Sequence, residues 1–354
     1  MQKIEETVEH QLDDRDLPNV YVGAFSTALG ETLVTNEDLE RENPSWIMSR
    51  TIERTGIGAR TIANTETTAL DLAEQAAHQL IKRYTLDTDT IDGLIFCTQT
   101  PDQPLPSNAS LLHGRLGLSH NVLAIDLSHA CSGYVYALGV AKSFVRSGAA
   151  RRVLVVTGDT YSRLIHPEDR SVRAIFGDGA ACCLVSNTPS LGLLVEDVQF
   201  WTDGSKSNRF QIANGGARTP FDPEIQVSPD RNARVKSPNH IQMDGLGLLS
   251  FFNSVLPRDI RKVLSRNDQK LENVDHFVFH QASKMAIDGI VRALKIPEDK
   301  VVREFSETGN LVSSSIPVAL ARLSDQGRIK AGDTIILCGF GVGLSWSIAL
   351  LKEI

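Results

Sequence analysis

Short apolar runs alternating with amphipathic stretches, set out twice along the chain, are what most narrows the folds open to it. In the first half, runs at 21–25, 93–97, 122–126, 153–157 and 180–185 have the length and side chains of buried strands. Between them the spacing predicts a helix over 69–84, with Leu72, Ala76, Leu80 and Ile81 on one stripe. A second helix over 134–145 carries Leu138, Ala141 and Val145, with Gly148 as its stop. After Pro189 the theme resumes: a strand at 193–200, a polar insertion over 202–239, and a helix over 245–264 that Pro257 should kink or divide. A strand at 276–280, helices over 285–294 and 316–323, and a hairpin of 334–338 with 345–351 complete it. The pattern is that of an α/β protein with two halves of similar order, 20–189 and 190–354, behind an N-terminal extension, 1–19.

With 354 residues, 42% of them hydrophobic, the chain has material for one large core or two fused ones, and its net charge of -7 offers no general attraction for nucleic acid or an anionic membrane. Nucleic-acid binding and membrane attachment are therefore not expected, and any anionic substrate must meet a local Arg or Lys cluster. Five irregularly spaced cysteines, and an acidic start without an apolar core, fit a reducing, cytoplasmic setting. No Cys-x-x-Cys pair appears, so no metal is expected, and the adjacent Cys182 and Cys183 read as small core residues of one strand. The insertion, poor in apolar anchors and read as a structureless loop, is expected either over or beside a site mouth or as a plain surface excursion.

Chemistry concentrates in three places. The stretch VLAIDLSHACSGYVYALGVAKSFVRSG runs strand, turn, helix, with Cys131 at the expected helix start, where the helix dipole and free N–H groups favour thiolate. Small neighbours Ala130, Ser132 and Gly133 would let a substrate carbonyl approach the backbone. On this local ground Cys131 reads equally as a nucleophile or a buried structural thiol. VDHFVFHQAS ends a strand at His280, and ETGNLVSSSIP holds Asn310 in a Gly-containing turn before a helix.

Taken with GDGA at 177–180 and CGFGVGLSW at 338–346, these segments resemble β-ketoacyl-acyl carrier protein synthase III and its relatives over nearly the whole chain. The resemblance implies a thiolase-like, five-layered αβαβα fold with duplicated halves, paired as a homodimer. It implies Cys131 as acyl acceptor, His280 and Asn310 as the decarboxylation site, and an oxyanion hole of the Cys131 N–H and one N–H within 341–343, assigned to Val342. The implied reaction is decarboxylative condensation of an acyl-CoA primer with a malonyl thioester, carried by acyl carrier protein or CoA, with no permanently bound cofactor. Neutral donors at His280 and Asn310 suit an enolate oxygen, and acyl-Cys131 suits attack by the resulting carbanion.

For coenzyme A, the resemblance points to Trp46, Arg50, Arg54 and Arg170. Trp46 stands eight residues before Arg54 where the family has four, which leaves Trp46, Arg50 and Arg54 as alternatives. HQAS replaces the family's HQAN, and Met285 occupies its next basic position with Lys284 just before. For the acyl pocket it implies Phe340 and, across a dimer interface, Leu105 in QPLPSNAS, which is shorter than the aromatic of acetyl-specific relatives and would admit longer primers; its other reading is a core residue before Pro106. Rival readings are a thiolase, for which Cys338 stands one place out of register, a type III polyketide synthase, and a non-condensing O- or N-acyltransferase on the same scaffold.

Overall fold

The computed structural model describes residues 17–354, so most of the expected extension 1–19 lies outside the described residues. The first half runs β1 (Tyr21–Leu29), α1 (Ala69–Arg83), β2 (Gly93–Cys97), α2 (Asn108–Arg115), β3 (Leu123–Leu127), α3 (Gly133–Ser147), β4 (Arg152–Asp159) and β5 (Gly179–Ser186). The second runs β6 (Leu193–Thr202), α4 (Gly245–Arg266), β7 (His276–Phe279), α5 (Lys284–Leu294), α6 (Ser315–Asp325), β8 (Thr334–Gly341) and β9 (Ser345–Glu353). Smaller elements include the helices Asn36–Glu42 and Met48–Thr55.

One nine-stranded sheet joins the halves, in the order β7-β8-β9-β6-β1-β5-β4-β2-β3. Its two parts repeat one topology. In the first half β2 lies parallel to β3 and β4, and β5 runs antiparallel to β4 and β1. In the second β7 lies parallel to β8, and β9 runs antiparallel to β8 and β6. The counterpart of β3 has shrunk to a single parallel bridge, Phe277 to Val301. The β1–β6 pairing, antiparallel through Tyr21 and Val22, fuses the parts.

Helices fill the layers by the logic of their sequences. A capping box opens α1, with Thr68 Oγ1 accepting from the Asp71 N–H and the Asp71 carboxylate accepting from the Thr68 N–H, and its buried stripe covers the outer face of the first part. The middle layer is α3 and α6, whose Leu138, Ala141, Ile316 and Leu320 share one core with β2, β4, β8 and β9. Gly139 is required there, because a Cβ would lie 2.3 Å from the Phe200 ring. Gly148 at φ 74° ends α3 as expected. On the far side α4 and α5 pack through Leu248, Phe252, Leu256, Ile260, Ile287 and Ile290. Helix, sheet, helix, sheet, helix is the five-layered arrangement, and the adjacent cysteines divide between its layers, Cys182 facing α1 and Cys183 facing α3.

Two expectations change. Pro257 does not divide α4, which runs unbroken for 22 residues. A helix-interior proline costs about 3 kcal/mol, whereas burial of Leu256, Ile260 and Val263 on either side of it returns about 1.5–3 kcal/mol for each side chain. The insertion is not structureless: it holds the 3₁₀ turns Gly204–Arg209 and a two-residue strand, Phe210–Gln211, paired with Gln242–Met243.

Candidate active site

Three elements deliver their ends to one cavity of about 330 Å³. Cys131 follows β3 and precedes α3, His280 directly follows β7, and Asn310 precedes α6. Through the internal repeat, the turn carrying Asn310 occupies in the second half the place that the Cys131 turn holds in the first. All three line the cavity, with Ile175, Phe176, Phe210, Leu248, Phe252 and Phe340 among its apolar walls.

Cys131 is 4% exposed. The helix behind it starts at Gly133, two residues on, and the thiolate expected from the dipole is not the resting form. Burial, then the Asp159 carboxylate, push the thiol up to about 12, against backbone N–H groups of Val342 and Cys131 that hydrogen-bond the sulfur. Those two donors are the pair expected for an oxyanion. The glycines of the CGFGVG segment explain how β8 comes so close. A Cβ on Gly341 would lie 2.6 Å from Cys131 Cβ and 2.8 Å from Sγ, and one on Gly339 would lie 2.8 Å from Ser132 Cα.

His280 is buried, and burial lowers its imidazole to about 3, so the ring is neutral. Its Nδ1 is enclosed without a partner. Buried orphan N–H groups are rarer than buried orphan acceptors, so the proton belongs on Nε2. Phe340 holds the ring edge-on at 5.6 Å between centroids and itself packs on Phe252 at 5.1 Å. Gln281 anchors the strand end, donating to the Phe279 and Val302 carbonyls at 2.6 and 3.2 Å and accepting from the Glu304 N–H at 2.7 Å. Ser283, the departure in HQAS, N-caps α5 by accepting from the Ala286 N–H at 3.3 Å. Lys284 pairs with Asp288 at 2.7 Å, so its charge is partly offset.

The amide of Asn310 is oriented by its oxygen, which accepts from the Val312 N–H at 2.9 Å and the Ser315 hydroxyl at 3.4 Å. That leaves the NH₂ to donate into the cavity. The serine triplet of GNLVSSSIP is a set of anchors: Ser313 donates to Asp159, Ser314 to the Gly179 carbonyl, and Ser315 to Asn310 itself. The GDGA segment backs the same turn. Gly177 N–H donates to the Asn310 carbonyl at 3.1 Å, and a Cβ on Gly177 would lie 2.1 Å from the Thr308 carbonyl oxygen.

The coenzyme A candidates part company. Arg54 lines the cavity. Trp46 does not: it is 5% exposed, packed with Leu39, Met48 and Ala174 beneath the Arg173 guanidinium, so the displaced tryptophan has become core. Arg50 is exposed away from the lining. Arg170 is also absent from the lining, its guanidinium donating to the Asn232 carbonyl at 3.0 Å, while its neighbour Ser171 is present. Sequence reading missed Arg234 and Phe210, which the insertion brings to the cavity and which no motif marks. It also missed Phe252, although the α4 stripe of Leu248, Phe252 and Leu256 was there to find. Leu105 is no core residue, being 83% exposed and outside this chain's cavity.

Cys338 is fully buried on β8 and outside the cavity, so the second cysteine of a thiolase has no counterpart there. The sequence reading also passed over a His-x-x-x-His spacing, His276 to His280, but His276 Nε2 is engaged with Asp333 at 3.1 Å. Among the described residues no group of three or more His, Cys, Asp or Glu gathers as for a metal, and no helix is long and apolar enough to cross a membrane.

Residues 125–204 match the family described as 3-oxoacyl-[acyl-carrier-protein (ACP)] synthase III, and residues 264–353 its C-terminal part. A β-ketoacyl-[acyl-carrier-protein] synthase III of Clostridium perfringens is 34% identical over 95% of this chain and 100% of its own. A crystal structure of a 3-oxoacyl-(acyl-carrier-protein) synthase III superposes with a TM-score of 0.89 at 36% identity, over 95% of this chain and 100% of that one. A 3-oxoacyl-(acyl-carrier protein) synthase of Burkholderia xenovorans gives 0.85 at 28%, over 95% of each.

Proposed function

The chain belongs to the 3-oxoacyl-[acyl-carrier-protein] synthase III family, and from that premise we propose the following division of labour at its site. The protein is a condensing transferase. Cys131 takes the acyl group of an acyl-CoA primer, and the thiol proton leaves on the departing CoA thiol. The Cys131 and Val342 N–H groups hold the tetrahedral oxyanion, the role their bonds to the free sulfur prefigure. Because the resting thiol is protonated, the thiolate forms only as the donor seats.

A malonyl thioester, with acyl carrier protein as the proposed carrier, then loses carbon dioxide. Its enolate oxygen is met by His280 Nε2–H and the Asn310 NH₂, both neutral donors, and the carbanion attacks acyl-Cys131. The new carbon-carbon bond replaces the thioester bond to sulfur, and Cys131 is released to take a proton from water. Arg54 and Arg234 at the cavity supply charge for the phosphate groups of the donor. We further propose a homodimer in which β3, the edge strand of the sheet, meets its copy and the exposed Leu105 reaches the partner's acyl pocket.

One observation carries this reading: the Cys131 sulfur under two N–H donors shares a cavity with an imidazole and an amide that are both neutral. Intact mass with peptide mapping tests it. Acyl-CoA alone should label Cys131 and no other cysteine, and malonyl-acyl carrier protein should discharge that label with one carbon dioxide per 3-oxoacyl product. An adduct that survives Cys131→Ser would overturn the assignment.

A further inference from the structure

Of the buried carboxylates that the mechanism above leaves unused, Asp159 is the one whose side chain bonds the turn carrying Asn310. Asp159 ends β4, is 0% exposed, and reaches no Lys, Arg or His through its hydrogen bonds. Its Oδ1 accepts from the Gln99 N–H at 2.8 Å and the Thr98 hydroxyl at 3.4 Å. Its Oδ2 accepts from the Ser313 hydroxyl at 2.5 Å and the Ser313 N–H at 3.3 Å. A carboxylate buried among neutral donors is costly and adds nothing that an apolar side chain could not add to the core. Its geometry is specific, however. Two of its four bonds go to one residue, Ser313, in the turn that begins at Asn310.

We propose that Asp159 is a positioning residue for the decarboxylation half of the reaction, clamping the Ser313 turn to the end of β4 and so fixing the direction in which the Asn310 amide points. The turn needs such a clamp. Val312 holds φ 53°, a left-handed conformation that a β-branched residue adopts only under constraint, and its N–H is what orients the Asn310 oxygen. Ser313 to Asp159 and Ser314 to Thr157, at 2.9 Å, tie the turn to β4 on successive residues. Loosening the first tie frees the peptide next to Val312.

The same carboxylate faces Cys97 on β2, Cys131 before α3 and Tyr161 after β4, all groups whose ionised form is negative. Removing its charge should therefore ease ionisation of Cys131, the opposite of what general damage to the site would do. Clamp and charge together give Asp159→Asn a distinctive outcome: a slower decarboxylation beside a more readily ionised nucleophile.

This inference rests on the proposed roles of Cys131 and Asn310. The test compares Asp159→Asn, Ser313→Ala, their double variant and Asn310→Ala in the full-length enzyme, with acylation of Cys131 read by intact mass and malonyl decarboxylation read as carbon dioxide. By analogy with the partners that orient metal-ligating side chains, whose loss costs about 10- to 100-fold, a loss of that size in decarboxylation is expected for Asp159→Asn, with acylation within about threefold of wild type. Ser313→Ala, which leaves the carboxylate in place, should move the same step in the same direction. The double variant should be no worse than Asp159→Asn alone, because both remove one tie. The pH dependence of Cys131 alkylation by iodoacetamide should shift to lower pH in Asp159→Asn and stay put in Ser313→Ala. Equal losses in both half-reactions, additive losses in the double variant, or an unmoved alkylation profile in Asp159→Asn would overturn the proposal. Should Asn310→Ala itself decarboxylate normally, the parent assignment fails; should it fail to decarboxylate while Asp159→Asn does not, only the clamp is wrong.

Discussion

At the scale of single residues the site is a balance of burial against hydrogen bonds, and two buried groups pull in opposite directions. His280, lowered to about 3 by burial, binds fewer protons folded than unfolded, so its contribution to stability is present above about 6.5 and fades as pH falls toward 3. Asp159, raised to about 7 by burial, binds more protons folded, so stability falls as pH rises from about 4 through 7. Denaturant midpoints between pH 4 and 7 should therefore decline with pH more steeply in His280→Ala than in wild type, and rise with pH in Asp159→Asn; parallel slopes in all three would contradict the burial of both groups. Gly341 tests sterics alone. The Cβ of Gly341→Ala would overlap Cys131 Sγ, and the buried β8 cannot retreat, so acylation should drop by about 100-fold or more at a stability cost of about 1–3 kcal/mol.

At the scale of elements, what matters is where strands and helices stop. Cys131, His280 and Asn310 stand in turns at the ends of β3, of β7 and of the segment that replaces a third strand in the second half, which is why residues nearly 180 apart share one cavity. The Asn310 turn should prove separable from the nucleophile. Asn310→Ala is expected to acylate Cys131 at close to the normal rate while losing about 10²- to 10³-fold in malonyl decarboxylation, measured as carbon dioxide from the pre-acylated enzyme. The cap of α5 is a milder device: Ser283→Ala should cost about 1 kcal/mol of stability, read as a lower denaturant midpoint, and leave the His280 chemistry intact. The exposed loop bearing Leu105 is the gate to test for chain length. In a confirmed dimer, Leu105→Phe should slow octanoyl transfer to Cys131 far more than acetyl transfer, each buried methylene being worth about 0.8 kcal/mol; equal effects on both would remove Leu105 from the acyl pocket.

For the whole molecule, one end of the sheet is the question. Every residue of β3 is half-buried, and among the described residues the strand pairs only with β2. An edge of this kind is a template for pairing with another strand, and a lysine on it is the usual deterrent. Leu123→Lys should therefore raise the monomer fraction in sedimentation or light scattering. If Leu105 works across that interface, the monomer should also lose selectivity among acyl chains while retaining acylatable Cys131. Unchanged mass for this variant would place the contact elsewhere.

The sequence by itself determined most of the fold and marked the three polar residues that the structure brings to one cavity. Strand and helix periods are local properties of side-chain spacing, so β2, α1 and the β8–β9 hairpin were legible within a residue or a few, and the three short segments around Cys131, His280 and Asn310 announced their residue types. Spacing could also raise the question of Trp46 against Arg54. Only the tertiary structure answered it, because a tryptophan one helical turn out of place can be buried or exposed according to what packs over it, and here Leu39, Met48 and Ala174 do. The same holds for charge. Placement at a helix start predicted a thiolate for Cys131, yet desolvation and the unpaired Asp159 carboxylate, a residue 28 positions away that no motif singles out, outweigh the dipole. Arg234 reaches the cavity from a polar insertion whose path no periodicity encodes. Local geometry follows from neighbours in the chain; electrostatics and access follow from neighbours in space.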